Sequence, residues 1–126
     1  MISKTYGKGK YVVNINVHNT AGVGLAVFIR GGETPHLGGV ALATPERQLD
    51  GENLLVCDLW NLTVPGHKDG KLAQKIANKL CMATGEPVSV SLGFQVEPAT
   101  EEEIKILWEK VESSVDLFLK SYLRNG

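Results

Sequence analysis

The sequence predicts an α+β fold: a two-layer sandwich with two long helices on a mostly antiparallel sheet of about five strands, in the order β-β-β-β-α-β-α. Three observations carry this. Val13, Ile15 and Val17 alternate with Asn14 and Asn16, the period of a half-buried strand. Leu72, Ala73, Ile76, Ala77 and Leu80 recur at helical spacing, with Lys71, Gln74, Lys75, Asn78 and Lys79 opposite them. From Thr100 onward, Ile104, Leu107, Trp108, Val111, Val115, Phe118, Leu119 and Tyr122 share one face of a longer helix. A stripe of that length needs a sheet to cover it.

In chain order, Lys10 to Val17 is the first predicted strand and Leu25 to Arg30 the second, joined by the turn composition His18-Asn19-Thr20-Ala21-Gly22. The glycine-rich stretch Gly31 to Gly39 interrupts the sheet, which Val40 to Ala43 briefly resumes. Pro45 to Gly51 reads as a polar turn, Asn53 to Leu59 as a fourth strand, and Asn61 to Gly70 as a loop into the first helix. Gly85 and Pro87 stop that helix. Val88, Val90, Leu92, Phe94 and Val96 then alternate with small or polar residues as the fifth strand. Thr100 and Glu103 stand at the spacing of a capping box, and Glu101 and Glu102 add charge suited to a helix start. The helices can share one sheet face or take opposite faces. In the first case, the apolar residues of the other face suggest burial against a second copy, hence a homo-oligomer.

The 126 residues fit a single domain, 1–126, with a poorly ordered polar start at about 1–9. Thirteen basic against fourteen acidic residues give a net charge of -1, without the basic excess that a nucleic-acid partner calls for. No apolar run approaches the length that spans a bilayer, and the start has no signal core, so the cytoplasm is the expected location and no membrane partner is expected. The two cysteines, Cys57 and Cys81, sit among apolar neighbours as buried thiols.

Two loops draw attention. Gly31 to Gly39 holds four glycines, Pro35, Glu33, Thr34 and His36, so its main chain can approach a ligand closely and turn N–H groups toward an anion. Thr63 to Gly70 leads into a helix start, where phosphate is favoured, with His67 and Lys68 as donors and Asp69 or Thr63 as alternative caps. If the loops meet on one rim, His36 and His67 with Glu33, Asp58 or Asp69 would suit a metal or acid–base chemistry, though no paired-histidine clamp and no nucleophile elbow is present. His18 reads as a surface residue, and Trp60 as core, interface or pocket lining.

At these loops the chain resembles the small prenylated-flavin chaperone family, which includes the D subunits associated with gallate-type hydroxyarylic acid decarboxylases. The resemblance rests on Gly31-Gly32-Glu33-Thr34-Pro35-His36-Leu37-Gly38 with Val40, on His67-Lys68-Asp69, on Val90 with Gly93-Phe94-Gln95-Val96, and on Ala99-Thr100. It runs from about Leu25 onward. Some members have histidine near the position of Gln95. The resemblance implies a non-catalytic accessory protein that binds prenylated FMN or FMN, or helps deliver it to a decarboxylase. Its partners would be a large decarboxylase subunit and a flavin prenyltransferase. The implied binding residues are Gly31, Gly32, Thr34, Pro35, His36, Gly38, His67, Lys68, Asp69 and Gln95, with no catalytic residue and no metal. A small histidine-based enzyme and a protein-binding module are the alternatives.

Overall fold

The computed structural model describes residues 2–20, 22–32, 37–47, 55–65, 69–95 and 100–125, with backbone alone for Arg47, Leu55, Val56, Gln95 and Asn125. The elements are β1 (Ile2–Tyr6), a 3-10 turn (Gly9–Tyr11), β2 (Val13–Asn19), β3 (Leu25–Gly32), β4 (Gly39–Arg47), β5 (Leu55–Thr63), α1 (Asp69–Thr84), β6 (Val88–Gln95) and α2 (Glu101–Asn125). From Val13 onward the expected order holds. The sheet has six strands where five were expected, because residues 2–6, inside the stretch read as poorly ordered, form β1. Its polar side is accounted for across the strand pair: Ser3 donates to Asn16 Oδ1 and Thr5 to Asn14 Oδ1, each at 2.8 Å.

The strands lie in the order β1-β2-β3-β6-β4-β5. All neighbours are antiparallel except β3 and β6, which pair in parallel from Leu25↔Val88 to Gly32↔Gln95. The chain leaves edge strand β5 through α1 and returns as β6 between β3 and β4. Two boundaries differ from expectation. β4 continues through Pro45 to Arg47, and beyond Ala43 it pairs with β5 alone, where a strand tolerates proline best. The expected start of β5 at Asn53 lies outside the described residues, but the strand runs past Leu59 to Thr63, so Trp60, Asn61 and Leu62 belong to the sheet.

Both helices lie on one sheet face. The core joins alternate strand residues (Val13, Ile15, Val17, Val27, Ile29, Val88, Val90, Leu92) to Leu72, Ile76 and Leu80 of α1 and Leu107, Val111, Val115 and Phe118 of α2. Burying a large apolar side chain contributes about 1.5–3 kcal/mol, and this stripe is what holds α2 in place. The helices run parallel to each other: Lys75 pairs with Glu112 at 2.6 Å and, one turn on, Lys79 with Asp116 at 2.8 Å. Gly85 ends α1 in the left-handed region (φ 70°), its N–H donating to Cys81 O at 2.8 Å. At the start of α2 the capping box forms as expected, with the Glu103 N–H donating to Thr100 Oγ1 at 3.1 Å and the Thr100 N–H to Glu103 Oε1 at 3.3 Å.

The opposite sheet face is uncovered by this chain. Across it, the β1–β2 half is polar, while Phe28, Leu42, Trp60 and Leu62 leave exposed apolar surface on β3, β4 and β5. No helix among the described residues is long and apolar enough to cross a membrane.

Candidate functional site

The insertion of β6 between β3 and β4 decides where the loops go. The chain must pass from the end of β3, at Gly32, to the start of β4, at Gly39, across the carboxyl end of β6. Gly32 stands opposite Gln95 and Gly39 opposite Leu92. The glycine-rich stretch therefore straddles a strand, which is why it contains more than a hairpin turn. Its second end is fixed on both sides, since the Gly38 N–H donates to Leu92 O at 2.9 Å and Gly38 O accepts from the Val64 N–H at 2.7 Å.

The same end of the sheet receives the other loop. β5 closes at Thr63, opposite Gly39, and α1 begins at Asp69. Here backbone meets backbone. A Cβ on Gly39 would lie 2.5 Å from Gly70 N and 2.7 Å from the Asp69 carbonyl carbon, one on Gly38 would overlap Asp69 Oδ2, and one on Gly70 would overlap Thr63 Oγ1. Asp69 is buried, with its carboxylate against Gly38. On the far side of β6, a Cβ on Gly31 would overlap the Val12 carbonyl oxygen, and Gly32 takes a φ of 77° while its N–H donates to Val12 O at 3.2 Å.

The described ends of the two loops thus lie on one rim, together with the carboxyl end of β6 and the start of α2, which Lys10 of the 3-10 turn ties down through Glu103 at 2.7 Å. The carboxyl ends of β3, β5 and β6 and the N-termini of both helices all face this end, an arrangement that favours ligands in open α/β sheets. The electrostatics are tempered by the protein itself. Asp69 and Glu101 to Glu103 place carboxylates in the first turns and offset both helix dipoles. The hydrogen bonds from Lys10 and from the Thr100 backbone hold the Glu103 carboxyl below its usual range.

Of the expected site residues, Gly31, Gly32, Gly38 and Asp69 sit on this rim, as does the backbone of Gln95. Thr34, Pro35, His36, His67 and Lys68 lie outside the described residues, as does Glu33. The N–H groups of Gly32 and Gly38 are already used, by Val12 O and Leu92 O. Asp58 faces away from the rim, beside Glu46, whose carboxyl is raised by its hydrogen bond to Asp58 and by repulsion from it. Among the described residues no group of three His, Cys, Asp or Glu side chains is arranged to hold a metal ion. His18 is exposed, as expected, and Trp60 is on the uncovered face.

Three features went unread in the sequence. Leu37 and Val64, both exposed, flank the Gly38 bridge and make part of the rim apolar. A groove of about 440 Å³ runs between the helices, lined by Lys75 of α1 and by Glu101, Ile104, Lys105, Trp108, Glu109 and Glu112 of α2. None of the described site residues lines it. The third is the approach of Cys57 to Cys81, whose Sγ atoms are 2.7 Å apart. The apolar loop flanks have a sequence signal in hindsight, a leucine and a valine next to glycine and proline, but the cysteine pairing has none.

Comparison with known proteins agrees with this architecture. Among curated proteins none matches the chain. A crystal structure described as that of a novel chaperone complex for yeast 20S proteasome assembly is similar in fold. The TM-score is 0.51 at 13% identity, over 98% of this chain and 91% of that one. Residues 7–123 match the model of the prenylated flavin chaperone LpdD-like domain, which takes in both loops, both helices and five of the six strands. By that match the chain belongs to the prenylated flavin chaperone LpdD-like family.

Proposed function

We propose that this protein is a non-catalytic accessory protein that binds prenylated FMN, or FMN, at the loop rim and helps deliver it to a decarboxylase that uses that cofactor. Family membership supports the flavin, and one structural observation carries the placement: both glycine-containing loops and both helix starts meet at the carboxyl end of β6. The residues present suit such a ligand. Leu37 and Val64 offer apolar surface to a ring or prenyl group, and the loop main chain between Gly32 and Gly38 offers donors to a phosphate. Because Asp69 and the acidic first turn of α2 offset the helix dipoles, positive charge for the phosphate falls to Lys68, with His36 and His67 as further donors. Gln95, whose backbone ends β6, is a further candidate contact.

In this reading the uncovered sheet face, with Phe28, Leu42, Trp60 and Leu62, meets a second copy of the chain. Exposed apolar side chains grouped on one sheet face suit such a contact. The same face favours a second reading, a protein-binding module without a cofactor. Titrating the protein with FMN and with prenylated FMN, by flavin fluorescence and calorimetry, separates the two. Saturable binding that His36→Ala and Lys68→Ala weaken, with unchanged circular dichroism, supports the cofactor role. Absence of binding for both flavins, with no gain in decarboxylase activity when the protein is added, leaves the module reading.

A further inference from the structure

Cys57 of β5 and Cys81 of α1 are 24 residues apart in sequence, yet their Sγ atoms are 2.7 Å apart and both are free thiols. Cys81 is fully buried; Cys57 is half-buried on an edge strand, where solvent reaches it. The pair belongs to no part of the loop rim, since Cys81 lies about 18 Å along α1 from Asp69 at the helical rise per residue. We propose that Cys57 and Cys81 are a redox-active dithiol that a small-molecule disulfide, such as oxidised glutathione, converts to an internal Cys57–Cys81 disulfide.

The step balances by two exchanges. The Cys57 thiolate attacks one sulfur of oxidised glutathione, forming a mixed disulfide and releasing one glutathione thiolate. Cys81 then gives up its proton and attacks Cys57 Sγ, expelling the second glutathione. The protein loses two hydrogens and two electrons; one molecule of oxidised glutathione becomes two of the thiol. Burial, reinforced by the hydrogen bond to Cys57 and by its charge, pushes the Cys81 thiol up to about 12, which makes Cys57 the first nucleophile and Cys81 the resolving one. The contact between the two sulfurs offsets the small thiolate fraction of Cys81 in the second step. The bond would close a ring of residues 57–81 containing the end of β5, the second rim loop and most of α1. Oxidation would therefore tie the helix side of the rim to the sheet edge.

The test needs no flavin, so it stands apart from the cofactor reading. The whole protein is incubated with oxidised glutathione at neutral pH, unfolded, and assayed for free thiols and intact mass. The expected product has no free thiol, a mass lower by two hydrogens, a Cys57–Cys81 linked peptide in a non-reducing digest, and a higher thermal midpoint that dithiothreitol reverses. Cys81→Ser is expected to stop at a glutathione adduct on Cys57, and Cys57→Ser to leave Cys81 unmodified. Two titratable thiols after treatment, or wild-type protein trapped as the glutathione adduct or as a linked pair of chains, would overturn the proposal. The wild-type measurement decides the question even where a serine variant folds poorly.

Discussion

Asp69 Oδ2 lies against Gly38, so close that no side chain larger than hydrogen fits at residue 38. The first residue of α1 and the last of the glycine-rich loop are thereby locked together. Gly38→Ala is expected to destabilise the protein by about 1–3 kcal/mol through overpacking. Shortening Asp69 to alanine in the same chain should recover part of that loss, because the obstacle is a side chain. Gly39→Ala meets the backbone of Asp69 and Gly70, and Asp69→Ala should not rescue it. Urea unfolding of the two single variants, Asp69→Ala and the two doubles gives the coupling energies directly.

The start of α2 sets a second expectation. Thr100→Ala removes the acceptor of the Glu103 N–H and should cost about 1 kcal/mol. The pH dependence there has a definite sign. Glu103 is depressed, first by the hydrogen bond from Lys10 and then by the one from the Thr100 backbone. Its contribution is present above the unfolded carboxyl value of about 4.3 and disappears as pH falls through the lower folded value. Lys10→Met should therefore flatten the acid side of the stability curve, read by urea unfolding between about pH 6 and about pH 3.

The local signals in the sequence were the readable ones. The Thr100–Glu103 box and the stop at Gly85 arise within a turn or so of chain and the stripe from Leu107 to Phe118 within a single helix, and the structure has them all. The parallel pairing of β3 with β6 joins Leu25 to Val88, a relation that leaves no local trace. Without it, Gly31 to Gly39 looks like a wide bend or a ligand loop. With it, Gly31 and Gly39 are seen to be needed for close backbone approach and Gly38 for the approach of the Asp69 carboxylate, which uses the same residue as ligand cradling does. β1 was missed because only Ile2 and Tyr6 of its five residues pack against the core, and its place depends on pairing with β2. The meeting of Cys57 with Cys81 likewise depends on which strand α1 covers.

Phe118 and Trp108 show the limit of helical periodicity. Both fall on the predicted stripe, but Phe118 is 2% exposed, whereas Trp108 is only partly buried at its margin and lines the groove between the helices. Phe118→Ala is expected to cost about 3–5 kcal/mol as a core truncation. Trp108→Ala should cost clearly less, because part of its ring already faces water. Denaturant titration of both, with unchanged slope as the check on two-state unfolding, tests the ranking.

The alkaline limb of stability should depend on Cys81. Burial raises this thiol to about 12, above the value of about 8.5 for an unfolded cysteine. The folded chain then keeps a proton that the unfolded chain gives up. The contribution is complete below the unfolded value and is lost as pH rises from there toward the folded one. Tyr122, raised by burial and by Glu86, adds a slope of the same sign at higher pH. Under reducing conditions, Cys81→Ala should be less stable at neutral pH through its small cavity yet lose less on going to alkaline pH. Tyr122→Phe should remove its own part, leaving that of Tyr6, which burial also raises.

Trp60 and Leu62 stand exposed on the uncovered sheet face. They are 55% and 78% exposed, so the monomer gains little from them, and at dilutions where the chain is monomeric Trp60→Lys should change unfolding stability by no more than about 0.5 kcal/mol. A lysine there opposes any apolar contact with a second copy and places charge on edge strand β5, where it also discourages strand-to-strand pairing. Sedimentation velocity over a concentration series should find the wild type self-associated and Trp60→Lys shifted toward the monomer. Identical sedimentation of the two proteins would remove a second copy as the occupant of this face, and pull-down with a decarboxylase subunit of the proposed class, comparing the same pair of proteins, then tests that occupant instead.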